Sequence, residues 1–302
     1  MEERLFLFCK GVGRLKRFAI IGGDSRQARL CGLLAQDGHQ VSAFALERCS
    51  LPPQVRLCAS AREVCKEADC VILPMPLSRG QEMLNAPLAR EALPVSDVIA
   101  AVEAGTLVCG GAVDQPTQEA AVRQGVRLVD YFEREELAVL NAVPTAEGAI
   151  QIAMQELPVT ISGSRCLVIG NGRIGQALHV RLRGLNADVS VAARKKQDLA
   201  RIAAAGGRPV RIADLEDVLG GFDVIFNTAP ALVLGKPQLR RVRKDALIID
   251  LASRPGGVDF DHARQLGLRV NWALSLPGKV APLTSARIIR DTIINIMEEE
   301  GK

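Results

Sequence analysis

Aromatic residues make up only 3% of this 302-residue chain, with a single Trp and a single Tyr, and there are three histidines. So small an aromatic supply leaves few platforms on which bases stack, and the net charge of +4 comes from basic residues interspersed with acids. Nucleic-acid binding is therefore not expected, and small anions fit the charge as well. His39, His179 and His262 are scattered, and the eight cysteines contain no CxxC pair, so neither a metal centre nor a disulfide framework is expected. Cys9, Cys31, Cys49, Cys58, Cys65, Cys70, Cys109 and Cys166 read instead as reduced, mostly buried small hydrophobes. No apolar run approaches the roughly 18 residues of a membrane-spanning helix. The opening MEERLFLFCKGVGRLKR has one short apolar stretch, residues 5–9, preceded by acids as well as Arg4. It makes a poor signal peptide and reads as an N-terminal extension. A cytoplasmic protein without membrane attachment is expected.

What the chain does have is glycine placed with regularity. An apolar fraction of 48% with 24% charged residues suits a globular protein, and 302 residues suffice for two domains with separate cores. Residues 165–175, RCLVIGNGRIG, carry a short apolar run directly into Gly170, Gly172 and Gly175, with Asn171, Arg173 and Ile174 between them. The following ALHVRLRGL has helical periodicity. This is a strand, a tight turn and a helix start: the first glycine permits the turn, the second lets backbone approach a pyrophosphate, and the third allows close helix packing. The N–H groups opening that helix would face phosphate. The next strand ends in AARKKQD, where an NAD site usually places an acid for the ribose hydroxyl. Arg194, Lys195 and Lys196 stand there instead, a cluster suited to the 2′-phosphate of NADP(H). For Lys195 and Lys196 a solvated helix start remains an alternative.

Either side of this motif the pattern is α/β. In the first half, apolar runs at residues 17–21, 40–44, 69–73, 106–109 and 127–130 alternate with helical segments and end in Gly- or Pro-rich loops, as parallel strands do. In the second, runs at 166–169, 188–191, 209–212, 223–227, 246–250 and 268–272 repeat the plan. A short helical piece is expected at 134–140. Pro144 and Glu147 suit the start of a connecting helix over 144–158. A broad apolar stripe, Ile288, Ile289, Ile293, Ile294 and Met297, marks a last helix over 284–300 that would complete the first domain. The expected architecture is two Rossmann-like open parallel-sheet domains, 1–143 and 159–283, joined by crossing helices with a ligand cleft between them.

Candidate chemistry sits at the carboxyl ends of these strands. Asn227, Thr228, Ala229 and Pro230 are placed to meet a nicotinamide or its ribose, or else to form a capped turn. Ser253, a further cofactor contact, and Arg254 follow a strand ending at Asp250; an arginine there grips a carboxylate through two parallel hydrogen bonds, or pairs with Asp250 or Asp259. From the first half come Asp24, Ser25 and Arg26 and then Ser78 and Arg79. Thr145 stands on the connecting helix as a substrate contact and Glu147 as a residue that orients an arginine, or both as N-terminal caps. Donors of this kind suit a small substrate with more than one carboxylate. His179 and His262 are read as surface or packing residues, and nothing forms a Ser/His/Asp triad.

The segments FAIIGGDSRQ, VPTAEGAIQIAMQ, VIGNGRIGQ, LIIDLASRPGGVDF and LPGKVAPLTSA together resemble the dipicolinate synthase A subunits of spore-forming bacteria, over about residues 17–300. The resemblance implies NADP-dependent formation of pyridine-2,6-dicarboxylate from dihydrodipicolinate, in the cytoplasm of the mother cell, with a B subunit that resembles flavin-type decarboxylases. It labels no catalytic residue. Two other readings stay open: an amino- or keto-acid dehydrogenase of the same plan, and a catalytically silent NADP-binding partner of the B subunit. A homo-oligomer is compatible with either.

Overall fold

The computed structural model describes residues 15–80 and 82–302; residues 1–14 of the expected extension lie outside them. By its internal packing the chain divides into two units, one running to Leu140 and taking in Ala281–Lys302, the other Asn141–Val280.

The first unit holds β1 (Arg17–Ile21), β2 (Gln40–Phe44), β3 (Val55–Leu57), β4 (Cys70–Ile72), a small antiparallel hairpin of β5 (Ser78–Arg79) and β6 (Met83–Leu84), then β7 (Leu107–Gly110) and β8 (Arg127–Asp130). Its parallel sheet runs β3-β2-β1-β4-β7-β8. The second unit holds β9 (Arg165–Ile169), β10 (Asp188–Ala193), β11 (Arg208–Arg211), β12 (Val224–Asn227), β13 (Leu247–Asp250) and β14 (Arg269–Trp272), in the order β11-β10-β9-β12-β13-β14. Both sheets reverse direction beside their first strand, which is the Rossmann order with its ligand crevice at the reversal.

The sequence dictates this because its strands are apolar on both faces. In β1, Phe18 and Ile20 enter one core while Ala19 and Ile21 enter the other. In β9, Cys166 and Val168 face one layer of helices and Leu167 and Ile169 the opposite layer. Each fully buried Ile or Leu contributes about 1.5–3 kcal/mol. The C-terminal helix Pro282–Glu299 adds Ile288, Ile289, Ile293, Ile296 and Met297 to the first unit's core. Its start falls two residues ahead of the expected Thr284, because Pro282 occupies the first helical turn.

One expectation is corrected. Pro144 does not begin a helix, and residues 134–140 are not a separate piece: a single 22-residue helix, Glu135–Glu156, runs through Pro144. Apolar residues on both sides of the proline anchor it, Leu137 in a first-unit core and Ala146, Ala149, Ile150 and Ala153 in a second-unit core. These burials outweigh the one hydrogen bond a proline nitrogen cannot make. The helix is apolar and long enough to cross a membrane by composition alone, yet those residues are core residues.

The seven described cysteines are all free thiols. Burial pushes the Cys65 thiol up to about 12 and that of Cys166 to about 11, and raises Cys31 further still.

Candidate functional site

The second unit's glycine turn is built to stay open. Gly170 adopts φ +104°, and a Cβ there would lie 2.4 Å from the Thr228 hydroxyl. A Cβ on Gly175 would lie 2.1 Å from the Gly170 carbonyl oxygen, so the helix Arg173–Gly184 can start this close to β9 only with glycine. Gly172, the N-cap, has no atom within 4 Å of the equivalent position, and no side chain caps the helix. Its first N–H groups thus face a space that an anion can enter. Asn171 and Ile174 are half-buried and Arg173 is exposed along this turn.

At the tip of β10, Arg194 and Lys195 are exposed and form no ion pair among the described residues. Lys195 supplies only its backbone as N-cap of the helix Lys196–Ala204.

The loops after β12 and β13 are tied together below the surface. Asp250 is fully buried, and its carboxylate accepts hydrogen bonds from Asn227 Nδ2 at 2.8 Å, Ala252 N at 3.1 Å and Gly257 N at 2.8 Å. Asn227 also donates to the Ala229 carbonyl and accepts from Ala229 N. Three donors on one buried carboxylate satisfy it without a cation. The Thr228 hydroxyl donates to the Ile169 carbonyl at 2.9 Å, fastening the β12 loop to the start of the glycine turn. Asn227 is therefore corrected from cofactor ligand to buried strut, and Thr228 presents backbone and methyl group rather than its proton. Ala229 is half-buried and Pro230 exposed at the same edge.

Ser253 and Arg254 stand exposed on the loop that Asp250 holds. Arg254 pairs with neither Asp250 nor Asp259; its guanidinium carbon lies over the Trp272 ring, 5.8 Å from the centroid. Asp259 instead caps the next helix through His262 N.

The N-terminal capping of Thr145 and Glu147 is corrected as well. Lying mid-helix, neither caps an N-terminus: the Thr145 hydroxyl donates back to the Asn141 carbonyl at 2.7 Å, and Glu147 pairs with Arg181 of the helix that follows the glycine turn. Glu147 and Arg181 line an open groove of about 710 Å³ with Met154, Val180 and Leu185, none of them glycine-turn residues.

In the first unit the corresponding turn is closed. Gly22 is covered by Leu84 and Ala86, and Gly23 by the Gln27 amide. The helix Ser25–Gln36 is capped by Asp24, whose carboxylate occupies the end where a phosphate would sit. Arg26 is only 7% exposed, with N–H groups bonded to both Asp24 oxygens and to the Met75 carbonyl. Asp24 and Arg26 are thus committed to one another, not aimed at a substrate. Ser78, half-buried, and Arg79, exposed, keep their place at the hairpin as candidates of this unit. Ser25 is exposed at the helix start.

Residues 17–132 match the model of the N-terminal domain of the dipicolinate synthase A subunit, and residues 141–261 that of the NAD binding domain of D-isomer specific 2-hydroxyacid dehydrogenases. The dipicolinate synthase A subunit of Bacillus subtilis (strain 168) is 30% identical over 292 residues, 95% of this chain and 98% of the relative. This chain belongs to the family of dipicolinate synthase A subunits. The crystal structure of the Bacillus halodurans A subunit superposes with a TM-score of 0.87 at 30% identity, covering 94% of this chain and 99% of that one. A transhydrogenase from Sinorhizobium meliloti, TM-score 0.68 at 15% identity over 93% of this chain and 94% of that one, shares the fold.

Within this family member, the structure gathers Gly170, Gly172, Gly175, Thr228 and Ala229 at the second sheet's reversal, with Arg254 and Ser253 on the loop after the next strand. Sequence reasoning missed Trp272. The signal was available: it is the chain's one tryptophan, and it pairs in register with Asp250 at the carboxyl end of β14.

Proposed function

We propose that this chain oxidises dihydrodipicolinate to dipicolinate with NADP as acceptor, acting with a B subunit in the cytoplasm of a sporulating mother cell. Family membership supports the general activity. The observation that carries the choice of cofactor is the tip of β10, where two exposed, unpaired cations stand and no carboxylate does. The open turn at Gly170, Gly172 and Gly175 and the uncapped helix behind it fit a pyrophosphate, and Arg194 with Lys195 fits a 2′-phosphate.

When bound, the nicotinamide supplies a two-electron hydride acceptor. The chain's own residues bind and orient. Arg254 grips a substrate carboxylate through its planar fork, and Ser253 beside it donates a hydroxyl. Ala229 and Pro230 offer the reacting ring an apolar edge to lie against. The substrate loses one hydride and one proton; the proton passes to solvent, and aromatisation of the ring makes the step downhill.

The test follows NADPH absorbance and dipicolinate formation with freshly generated dihydrodipicolinate, with NADP or NAD, and with or without the B subunit. The Arg194→Ala variant is expected to weaken NADP binding about fivefold to tenfold, the range for an exposed charge-assisted contact, and to leave NAD unchanged. Equal loss for both dinucleotides, or no loss for NADP, would remove Arg194 from the 2′-phosphate, and absence of NADP binding would overturn the reading of the glycine turn.

A further inference from the structure

We propose that Trp272, backed by Phe260, is a positioning residue that holds the Arg254 guanidinium ready for a substrate carboxylate. The inference rests on the reading of Arg254 given above.

An exposed arginine on a loop samples many rotamers, and a carboxylate that captures it must freeze them. Arg254 meets a fixed surface instead. The indole Nε1–H of Trp272 donates to the Ala252 carbonyl at 2.9 Å, which ties the ring to backbone two residues before Arg254. Phe260 stacks on the indole at 4.8 Å between centroids and 30° between planes. Phe260 opens a helix whose cap, Asp259, holds it in place. Gly256 makes room for it: a Cβ there would lie 2.9 Å from the Phe260 ring. The loop between is clamped at both ends, since Asp250 accepts from Ala252 N and Gly257 N.

Over this platform the guanidinium carbon of Arg254 sits 5.8 Å from the ring centroid, within cation–π range. Among the described residues no hydrogen bond or ion pair engages the Arg254 guanidinium, so its N–H donors are open to a ligand. Among the described residues no carboxylate pairs with Arg254: Asp250 accepts from three N–H donors, and Asp259 caps its helix. An arginine steadied over a ring and with its N–H donors unengaged is prepared for bidentate carboxylate binding. In a chain with 3% aromatic residues, two of them are stacked at this one loop.

The test compares Trp272→Leu, Trp272→Tyr and Arg254→Ala. Trp272→Leu is expected to raise the KM for dihydrodipicolinate about tenfold, with kcat and the NADP dissociation constant within twofold of the parent. Trp272→Tyr, which keeps a ring, is expected to recover most of that loss. A purely structural tryptophan would lower kcat, cofactor affinity and melting temperature together, with no selective rescue by tyrosine; that pattern overturns the proposal. A second measurement needs no variant of Trp272. Because it is the one tryptophan, its emission in the otherwise native chain reports on Arg254, and saturating pyridine-2,6-dicarboxylate is expected to change it in the parent and not in Arg254→Ala. An unchanged parent emission overturns the proposal even if the leucine variant fails to fold. If Arg254→Ala raises KM while Trp272→Leu does not, the positioning role alone falls. If Arg254→Ala leaves KM unchanged, the carboxylate role of Arg254 falls and this inference with it.

Discussion

Gly172 and Gly175 lie three residues apart and are glycines for different reasons, which mutation can separate. At Gly175 a Cβ would press on the Gly170 backbone at 2.1 Å, and a carbonyl oxygen in a tight turn cannot yield. At Gly172 a Cβ would meet nothing within 4 Å, and the backbone angles, φ −78° and ψ −167°, suit any residue. Gly175→Ala is therefore expected to lower both the melting temperature and NADP affinity. Gly172→Ala is expected to leave stability within about 1 kcal/mol while weakening NADP tenfold or more, because on the proposed reading the added methyl enters the space of the pyrophosphate. Thermal melts beside a binding titration check both, and an unimpaired Gly172→Ala would place the phosphates elsewhere. This open position was legible in the sequence, since glycine spacing encodes backbone clearance directly. The fate of polar side chains was not. Asn227 ends a strand and Arg26 lies in the first turn of the helix after one, places where ligand residues stand, yet one side chain reaches Asp250 and the other Asp24. A one-dimensional pattern gives a residue's address on a strand and not the partner its side chain reaches.

At the scale of elements, strands were the most legible parts because a parallel strand buried on both faces must be continuously apolar. The hairpin of β5 and β6 and the three-residue β3 gave no such signal, being too short for a period. The helix Glu135–Glu156 was misjudged at Pro144 because the proline rule is local, whereas the burial of Ala146, Ala149 and Ala153 beyond it is tertiary. The C-terminal helix is the reverse case, its stripe legible and its partner set by the fold. That helix packs against Ser25–Gln36, with Arg134–Glu299 and Arg127–Glu300 ion pairs at its exposed end. Exposed pairs of this kind contribute little, so its anchorage is apolar. Ile293→Ala, at a fully buried position, is expected to destabilise by about 2–4 kcal/mol, read from the urea midpoint, whereas Glu299→Gln should leave that midpoint nearly unchanged. A small effect at Ile293 would mean the helix is not part of the core.

For the molecule as a whole, the two units repeat one strand order and differ in what stands at the reversal. In the second, glycines leave an opening; in the first, Leu84, Ala86 and Gln27 cover the glycines, and Asp24 places negative charge at the helix end. On the proposed reading, one topology carries one dinucleotide site, not two. Calorimetric titration with NADP is expected to give one equivalent per chain, and two equivalents would contradict the closed turn of the first unit. The doubling of the fold was readable from the spacing of apolar runs. That only one copy is open depends on residues some sixty positions away from Gly22, which no local motif reveals.

The raised thiols have a consequence for how the molecule opens. A thiol-selective reagent attacks the thiolate, and at neutral pH burial keeps Cys166 both protonated and out of reach. Its modification must therefore wait for β9 to part from its neighbours, and β9 is the strand that ends in the glycine turn. Six of the seven described cysteines belong to the first unit, and Cys166 stands alone in the second. The order in which the thiols become reactive is thus a record of which half of the chain breathes first, and any ligand gripping the glycine turn should slow the clock at Cys166 while the others keep their pace.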